Sequence, residues 1–274
     1  MACFTAEEAQ SAVRAFRGCT GQYLFCSTVD VYTKAPQAYP IREDAGRQPD
    51  PGFAYALEKS RCENLLLEAH GRGDFAVTLL RPAQTYGEGA RLVQTFGWGT
   101  YLYDRFRRGL PLIVHGDGTS LWAPCHRDDV ARAFANAAGN PNAYGKAYNL
   151  TGDEWLTWNG YYGGIAEALG VPLPRLVHLP TDLLARAVPT LAHWCNINFK
   201  YSNVFDNGAA KRDLGFRYTV PWVEGVRRTV AWLDAHDTAE KAEAFPFYDQ
   251  LIEAWDELSG QLTDRLAGFD IAQP

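Results

Sequence analysis

The chain alternates short apolar runs with stretches whose apolar residues recur at helical spacing. Ala9, Val13 and Phe16 form one such stripe behind Thr5, a candidate N-cap with Glu8 completing a capping box, and Gly18 closes the segment. Gln22-Tyr23-Leu24-Phe25-Cys26 then reads as a short buried strand. Residues 33–52, rich in Pro, Asp and Gly, predict a loop. A long helical pattern runs from about Phe53 to His70, closed by Gly71 and Gly73, and Phe75–Leu80 is a second strand stopped by Pro82. Strand, loop, helix and strand in that order predict a parallel crossover in a doubly wound sheet. Further on, the pattern predicts a helix around 91–108, a strand over Pro111–His115 and a turn at Gly116-Asp117-Gly118. A helix starting near Asp128, a strand over Ala147–Leu150 and helices at Ile165–Leu169 and Val223–Asp234 follow. Residues 238–267 read as a charged amphipathic helix or helix pair, a brace or an oligomer contact.

Composition narrows the class. At 274 residues, 47% hydrophobic and 21% charged, the chain can bury a full core and fits a soluble globular enzyme. The net charge of -6 and the scattered basic residues argue against nucleic acid as a partner. Eight Trp, fourteen Tyr and fourteen Phe suit large packed faces and a stacking cleft. The cysteines Cys3, Cys19, Cys26, Cys62, Cys125 and Cys195 show neither a CxxC pair nor zinc spacing, so reduced thiols in a cytoplasmic protein and no metal are expected. No run is apolar enough to span a bilayer, and the first residues do not have the pattern of a signal peptide.

Tyr55 and Lys59 stand at i, i+4 in the long helical pattern, on one face. An ammonium beside a phenol favours the phenolate, lowering the tyrosine pKa towards that of a general base; an exposed lysine beside a half-buried tyrosine is the plainer alternative. Ser27 and Thr28 fall at the carboxyl end of the preceding strand, where open α/β sheets bind ligands, or serve as cap and turn residues.

These residues sit in a wider pattern. FCSTVDVY and YALEK resemble the active-site strand and catalytic helix of extended short-chain dehydrogenases/reductases of the NAD-dependent epimerase/dehydratase kind. LLRPAQTYGEG (79–89), VHGDGTSLWAPCHRDDVARAF (114–134) and YNLTGDEWLTW (148–158) are similar to later segments of that family, and the resemblance covers about residues 5–235. It implies Thr28, Tyr55 and Lys59 as catalytic residues, with Thr28 touching the substrate hydroxyl, Tyr55 as acid/base, and Lys59 as pKa tuner and ribose contact. It implies Cys26, Tyr55, Lys59, Pro82 and Ala83 as contacts to NAD or NADP, and Ser27, Thr28, Thr85, Tyr86 and Arg127 as substrate contacts.

Two departures qualify the implied activity. The phosphate-binding glycine loop of the family is absent from this chain: GRG (71–73), GWG (97–99) and GDG (116–118) lack the third glycine, and Gly160–Ala166 leads a late helix far from its nearest strand. The choice between NAD and NADP is open for the same reason. Dehydratases of the family also carry an acidic pair directly after the threonine, whereas Val29-Asp30 supplies one acid, which is either chemical or structural. Asp128 and Asp129 read as a helix start rather than a metal site with Cys125 and His126. Arg175 and Lys200 are surface residues or phosphate grips.

The expected fold is α/β, an N-terminally truncated doubly wound (Rossmann-like) parallel sheet with a smaller C-terminal α+β substrate domain. Residues 1–82 would be the remainder of the dinucleotide-binding domain, rejoined by 128–150; residues 83–127 and 151–236 the substrate domain; and 237–274 a helical extension. The expected function is transient hydride removal from a sugar nucleotide or similar carbinol, as epimerase, dehydratase or reductase, in a monomer or homodimer. The alternative is a non-catalytic remnant or an RNA-binding type of relative, which LTGDEWLTW also resembles.

Overall fold

A computed structural model describes residues 3–267 and Phe269. Helix α1 (Ala6–Phe16) starts with the capping box expected of it: the Glu8 amide donates to Thr5 Oγ1 at 3.3 Å and the Thr5 amide to Glu8 Oε2 at 2.9 Å. Strand β1 (Gln22–Cys26), helix α2 (Ala54–Gly71) and strand β2 (Ala76–Pro82) follow. The segment after β2 is built from short pieces: β3 (Thr85–Tyr86), β4 (Val93–Gln94), β5 (Gly97–Trp98), α3 (Tyr101–Arg107), β6 (Leu112–His115), β7 (Leu121–Trp122) and β8 (Cys125–His126). The chain continues through α4 (Arg127–Ala137), β9 (Lys146–Leu150), β10 (Leu156–Thr157), α5 (Trp158–Leu169), β11 (Leu176–Leu179), α6 (Thr181–Ala187), α7 (Gly208–Leu214), α8 (Trp222–Ala235) and α9 (Phe247–Leu266).

β1, β2 and β9 form a parallel sheet in that order, with Phe25 opposite Leu79 and Leu80 opposite Tyr148. Side chains alternate across a strand, so each strand feeds two cores. Phe25 and Leu79 join Ala9 of α1 and Leu66 of α2 in one cluster, while Leu24 and Leu80 meet Val130 and Ala133 of α4 in another. A larger core surrounds the parallel pair β6–β11, where Trp158, Tyr161 and Tyr162 of α5 meet Trp222 of α8 and Tyr248 of α9. The first half of α9 braces this core, with Tyr248 and Ile252 buried, whereas Leu258, Leu262 and Leu266 further along are exposed.

The helix expected over 91–108 is shorter than its pattern suggested. Val93-Gln94 and Gly97-Trp98 pair instead as an antiparallel ribbon, and only Tyr101–Arg107 is helical. Gly97 has φ +96, outside the helical range, and a Cβ on Gly99 would stand 2.6 Å from the Tyr101 ring. The glycines break the helix that the apolar spacing implied. Gly160–Ala166 lies within α5 rather than in a phosphate-binding turn.

One buried polar network ties the sheet to α2. Glu63 of α2 is fully buried and receives Arg81 Nε and Nη2 of β2, each at 2.8 Å. Ser27 donates its hydroxyl to Glu63 at 2.6 Å, and Arg47 reaches the same carboxylate from the loop before α2 at 2.5 Å. Burial pushes the Glu63 pKa up, but its bonds to Arg81 and Ser27 and the nearby Arg47 charge outweigh burial and hold it below the usual carboxylate range. Arg81 continues to the Tyr32 hydroxyl at 2.7 Å, which donates to Asn149 of β9 at 2.6 Å.

Two predictions follow from this packing. Glu63→Ala leaves the Arg81 cation buried without its partner, so equilibrium denaturation is expected to show a loss of about 3–5 kcal/mol. Arg47→Ala, at the rim, is expected to cost under about 1 kcal/mol. Gly164→Ala would place a Cβ 2.4 Å from the Trp222 ring where α5 meets α8, whereas Gly163 has nothing within 4 Å. Gly164→Ala is therefore expected to destabilise by about 1–3 kcal/mol and Gly163→Ala to stabilise slightly, the difference being read from their melting midpoints.

Candidate active site

A cleft of about 490 Å³ opens at the carboxyl ends of β1 and β2. Cys26, Ser27, Thr28, Tyr55, Pro82, Ala83 and Thr85 line it, seven of the residues singled out from sequence. β1 delivers Cys26 at its last position, and the chain then tightens into a 3-10 turn over Val29–Val31. Thr28 caps that turn, its Oγ1 accepting from the Asp30 amide at 3.2 Å, so its structural and its candidate chemical roles coexist. Tyr55 enters from the first turn of α2 and lines the same cleft as Thr28. The hydroxyl of Ser27 is committed to Glu63, which fixes Ser27 in the wall rather than freeing it for a ligand.

Lys59 sits one turn below Tyr55, but its ammonium is engaged. Its Nζ donates to the carbonyls of Cys3 at 2.8 Å and Cys26 at 2.9 Å, and lies 4.6 Å from the Phe4 ring centre against 6.0 Å for that of Tyr55. Only 4% of the residue is exposed. The lowering of the Tyr55 pKa expected from this lysine is not found. Tyr55 as a residue is 37% exposed, yet desolvation of its phenol in the cleft, with the charge of Asp30 second, pushes it up to about 12, and the nearby Thr28 hydroxyl offsets only part of this.

Asp30 is the charged group that faces the phenol. Asn198 Nδ2 donates to its carboxylate at 2.9 Å, and burial raises its pKa against the pull of Lys34, Asn198 and Thr28. Lys34 is itself buried, which lowers its pKa to about 8 despite Asp30, and it donates to Asn203. A five-residue π-helical segment, Cys195–Phe199, presents Asn198 and Phe199 to the cleft. Asn198 Oδ1 is buried without a hydrogen-bond partner.

Two expected substrate contacts lie elsewhere. β3 pairs with β8, and its alternation points Thr85 to the cleft and Tyr86 to the opposite side. Tyr86 is fully buried there, edge-on to Trp222 at 4.8 Å and to His126 at 5.5 Å. Arg127 opens α4 and turns to Glu88 at 3.1 Å, away from the cleft lining. Arg175 pairs with Asp256 at 2.7 Å and Lys200 bonds Asn196 at 2.9 Å, both outside the cleft. His126 caps α4 through Nδ1, and Asp129 is buried on the Thr219 and Val220 amides, so the Cys125–Asp129 stretch is structural. Among the described residues no cluster of His, Cys, Asp and Glu could hold a metal, and no helix is long and apolar enough to cross a membrane.

The apolar and aromatic part of the lining was not read from sequence: Val93, Trp98, Trp122, Trp194, Phe199 and Phe205. Trp194 meets Trp98 edge-on at 4.8 Å and Phe199 in a stack at 6.2 Å. The tryptophan count hinted at a stacking cleft, but which tryptophans form it depends on segments that are distant along the chain.

Comparison with known proteins supports this architecture. A protein named chloroplast stem-loop binding protein of 41 kDa b, from Arabidopsis thaliana, is 30% identical over 158 residues, covering 57% of this chain and 38% of that protein. A 3beta-hydroxysteroid-dehydrogenase/decarboxylase isoform 2 from the same plant is 28% identical over 217 residues, 70% of this chain and 36% of its own length. The chain thus spans little more than a third of either relative. Among solved structures, UDP-glucuronic acid 4-epimerase from Bacillus cereus in complex with NAD shares the fold at a TM-score of 0.66 and 20% identity, over 84% of this chain and 67% of that one. Residues 6–151, more than half of the chain, match the NAD dependent epimerase/dehydratase family, and the chain belongs to that family.

Proposed function

We propose that this chain carries the proton-handling part of an NAD(P)-linked oxidoreductase or isomerase acting on the carbinol of a sugar nucleotide or similar alcohol. The observation that carries the reading is that Tyr55 and Thr28 line one cleft at the carboxyl edge of the sheet. The relatives' names point the same way, since the steroid dehydrogenase/decarboxylase and the sugar epimerase are both named for chemistry at a carbinol carbon.

The residues present suit the nicotinamide end of a dinucleotide. Cys26, Pro82 and Ala83 give the cleft a small, uncharged edge beside the strand ends. NAD or NADP, when bound, supplies the hydride acceptor and donor. Thr28 would hold the substrate oxygen and Tyr55 would exchange its proton. With its pKa pushed up to about 12, Tyr55 is a phenol at neutral pH, the form that donates a proton to a carbonyl oxygen. In the oxidising direction the same oxygen must accept a proton, so that rate is expected to rise with pH while the reducing rate does not. Lys59 would reach a ribose once the Cys3 carbonyl releases its ammonium.

A second reading, a non-catalytic role, draws on that same lysine. Its ammonium is satisfied by backbone carbonyls, and one relative is named for stem-loop binding. The net charge of -6 works against RNA phosphates.

The two readings separate in one experiment. Wild-type protein and Tyr55→Phe are incubated with NAD or NADP and a panel of alcohols, and nicotinamide reduction is followed. Turnover is expected to fall at least about 100-fold in the variant with little change in melting temperature. Equal turnover in both would remove Tyr55 from the chemistry, and the absence of a thermal-shift response to either dinucleotide would favour the non-catalytic reading.

A further inference from the structure

The lining of the cleft is of two kinds: the polar groups of Thr28, Asp30, Tyr55, Asn198 and Asn203, and the rings of Trp98, Trp122, Trp194, Phe199 and Phe205. Among the described residues no lysine or arginine lines the cleft. The nearby cations are already engaged: Lys34 donates to Asn203 beside the Asp30 charge, and Lys59 donates to the carbonyls of Cys3 and Cys26.

We infer that the carbinol taken by this site belongs to a bulky, apolar and uncharged molecule rather than to a nucleoside diphosphate. The inference rests on the functional reading above and narrows its substrate class. A diphosphate needs charge-assisted bonds to replace its hydration. A sugar nucleotide would add a second such group to that of the dinucleotide, and this cleft offers it the carboxyl group of Asp30 and, among the described residues, no free cation. Fused apolar rings would instead lie against Trp98 and Trp194, burying aromatic surface on both partners. Trp98, still 46% exposed on the β4–β5 ribbon, is the part of that lining with most surface left to cover.

The orphaned Asn198 Oδ1 adds a requirement for a hydroxyl on the ligand. It is an acceptor, buried with its residue at 2% exposure, beside Tyr55 and Asp30 in the lining. A buried acceptor without a donor is a standing cost. A hydroxyl of the ligand supplies the missing donor.

The test uses the full chain and its intrinsic fluorescence, because three tryptophans line the cleft. The probes are a four-ring 3β-hydroxysteroid, one hydroxyl on a rigid apolar body, and UDP-glucose. The steroid is expected to quench saturably, and Trp98→Ala and Trp194→Ala each to weaken it by about tenfold, with circular dichroism showing that both variants are folded. UDP-glucose is expected to leave the emission unchanged. Saturable binding of UDP-glucose, or no response to the steroid, would overturn the inference. The outcomes also distinguish the two proposals. Tyr55-dependent turnover of UDP-glucose would overturn the substrate class and keep the reaction, whereas steroid binding without hydride transfer to either dinucleotide would keep the apolar site and remove the reaction.

Discussion

The Glu63–Arg81 pair is the interaction on which the geometry of the site depends. Two opposite charges taken out of water cost several kcal/mol each, so a buried pair holds only where its remaining bonding capacity is met. Here it is met almost completely: Arg81 binds the carboxylate through two nitrogens, Ser27 and Arg47 supply further donors, and Tyr32 passes the chain of bonds to Asn149. The network therefore joins the end of β1, the middle of α2, β2 and β9. Ser27 is the neighbour of Thr28, and Glu63 lies one turn beyond Lys59 and two beyond Tyr55 on the same helix. Anchoring Glu63 fixes the rotation of α2, and with it the direction in which Tyr55 enters the cleft.

The electrostatics above that anchor differ from those a tyrosine–lysine motif suggests. Spacing placed the two residues one turn apart, and they are one turn apart. Spacing could not show that the Lys59 ammonium would be shared by two backbone carbonyls and capped by Phe4. What governs the phenol in this arrangement is its burial, then Asp30, with Thr28 opposing both. Asp30, read as either chemical or structural, is placed in contact with the cleft, with Asn198 and with the field acting on Tyr55.

What could be read from sequence divides along physical lines. β1, α2 and β2 were legible because local signals agree there: a capping box, a long helical period, glycine stops and apolar strand runs. The segment after Pro82 was less so. Gly97 and Gly99 turned an apolar helical spacing into a ribbon. The alternation of a two-residue strand sent Tyr86 into the core and left Thr85 at the cleft. Arg127 shows the same limit, since its partner, Glu88, is distant in sequence and its direction is a tertiary fact. The aromatic wall lies beyond local pattern altogether, because Trp98, Trp122 and Trp194 come from three separated segments.

That division also separates what the two parts of the lining do. The part at the strand ends is built from a short stretch of chain and held by one buried ionic network, so its hydroxyl, phenol and carboxyl groups keep a fixed relation. The aromatic part hangs on a two-strand ribbon, a short π-helical segment and loops, none of which takes part in that network. A change at Trp98 would alter the shape and polarity offered to a ligand without removing a bond of the Glu63–Arg81 network, whereas Phe205 stacks on Tyr32 of that network and Trp194 meets Phe53 edge-on at the start of α2. A chain organised in this way can hold one arrangement for proton exchange constant while the lining at Trp98 is free to take on the character of its ligand. In this protein that lining is aromatic and carries no cation, and the one buried acceptor left open beside it waits for a hydroxyl.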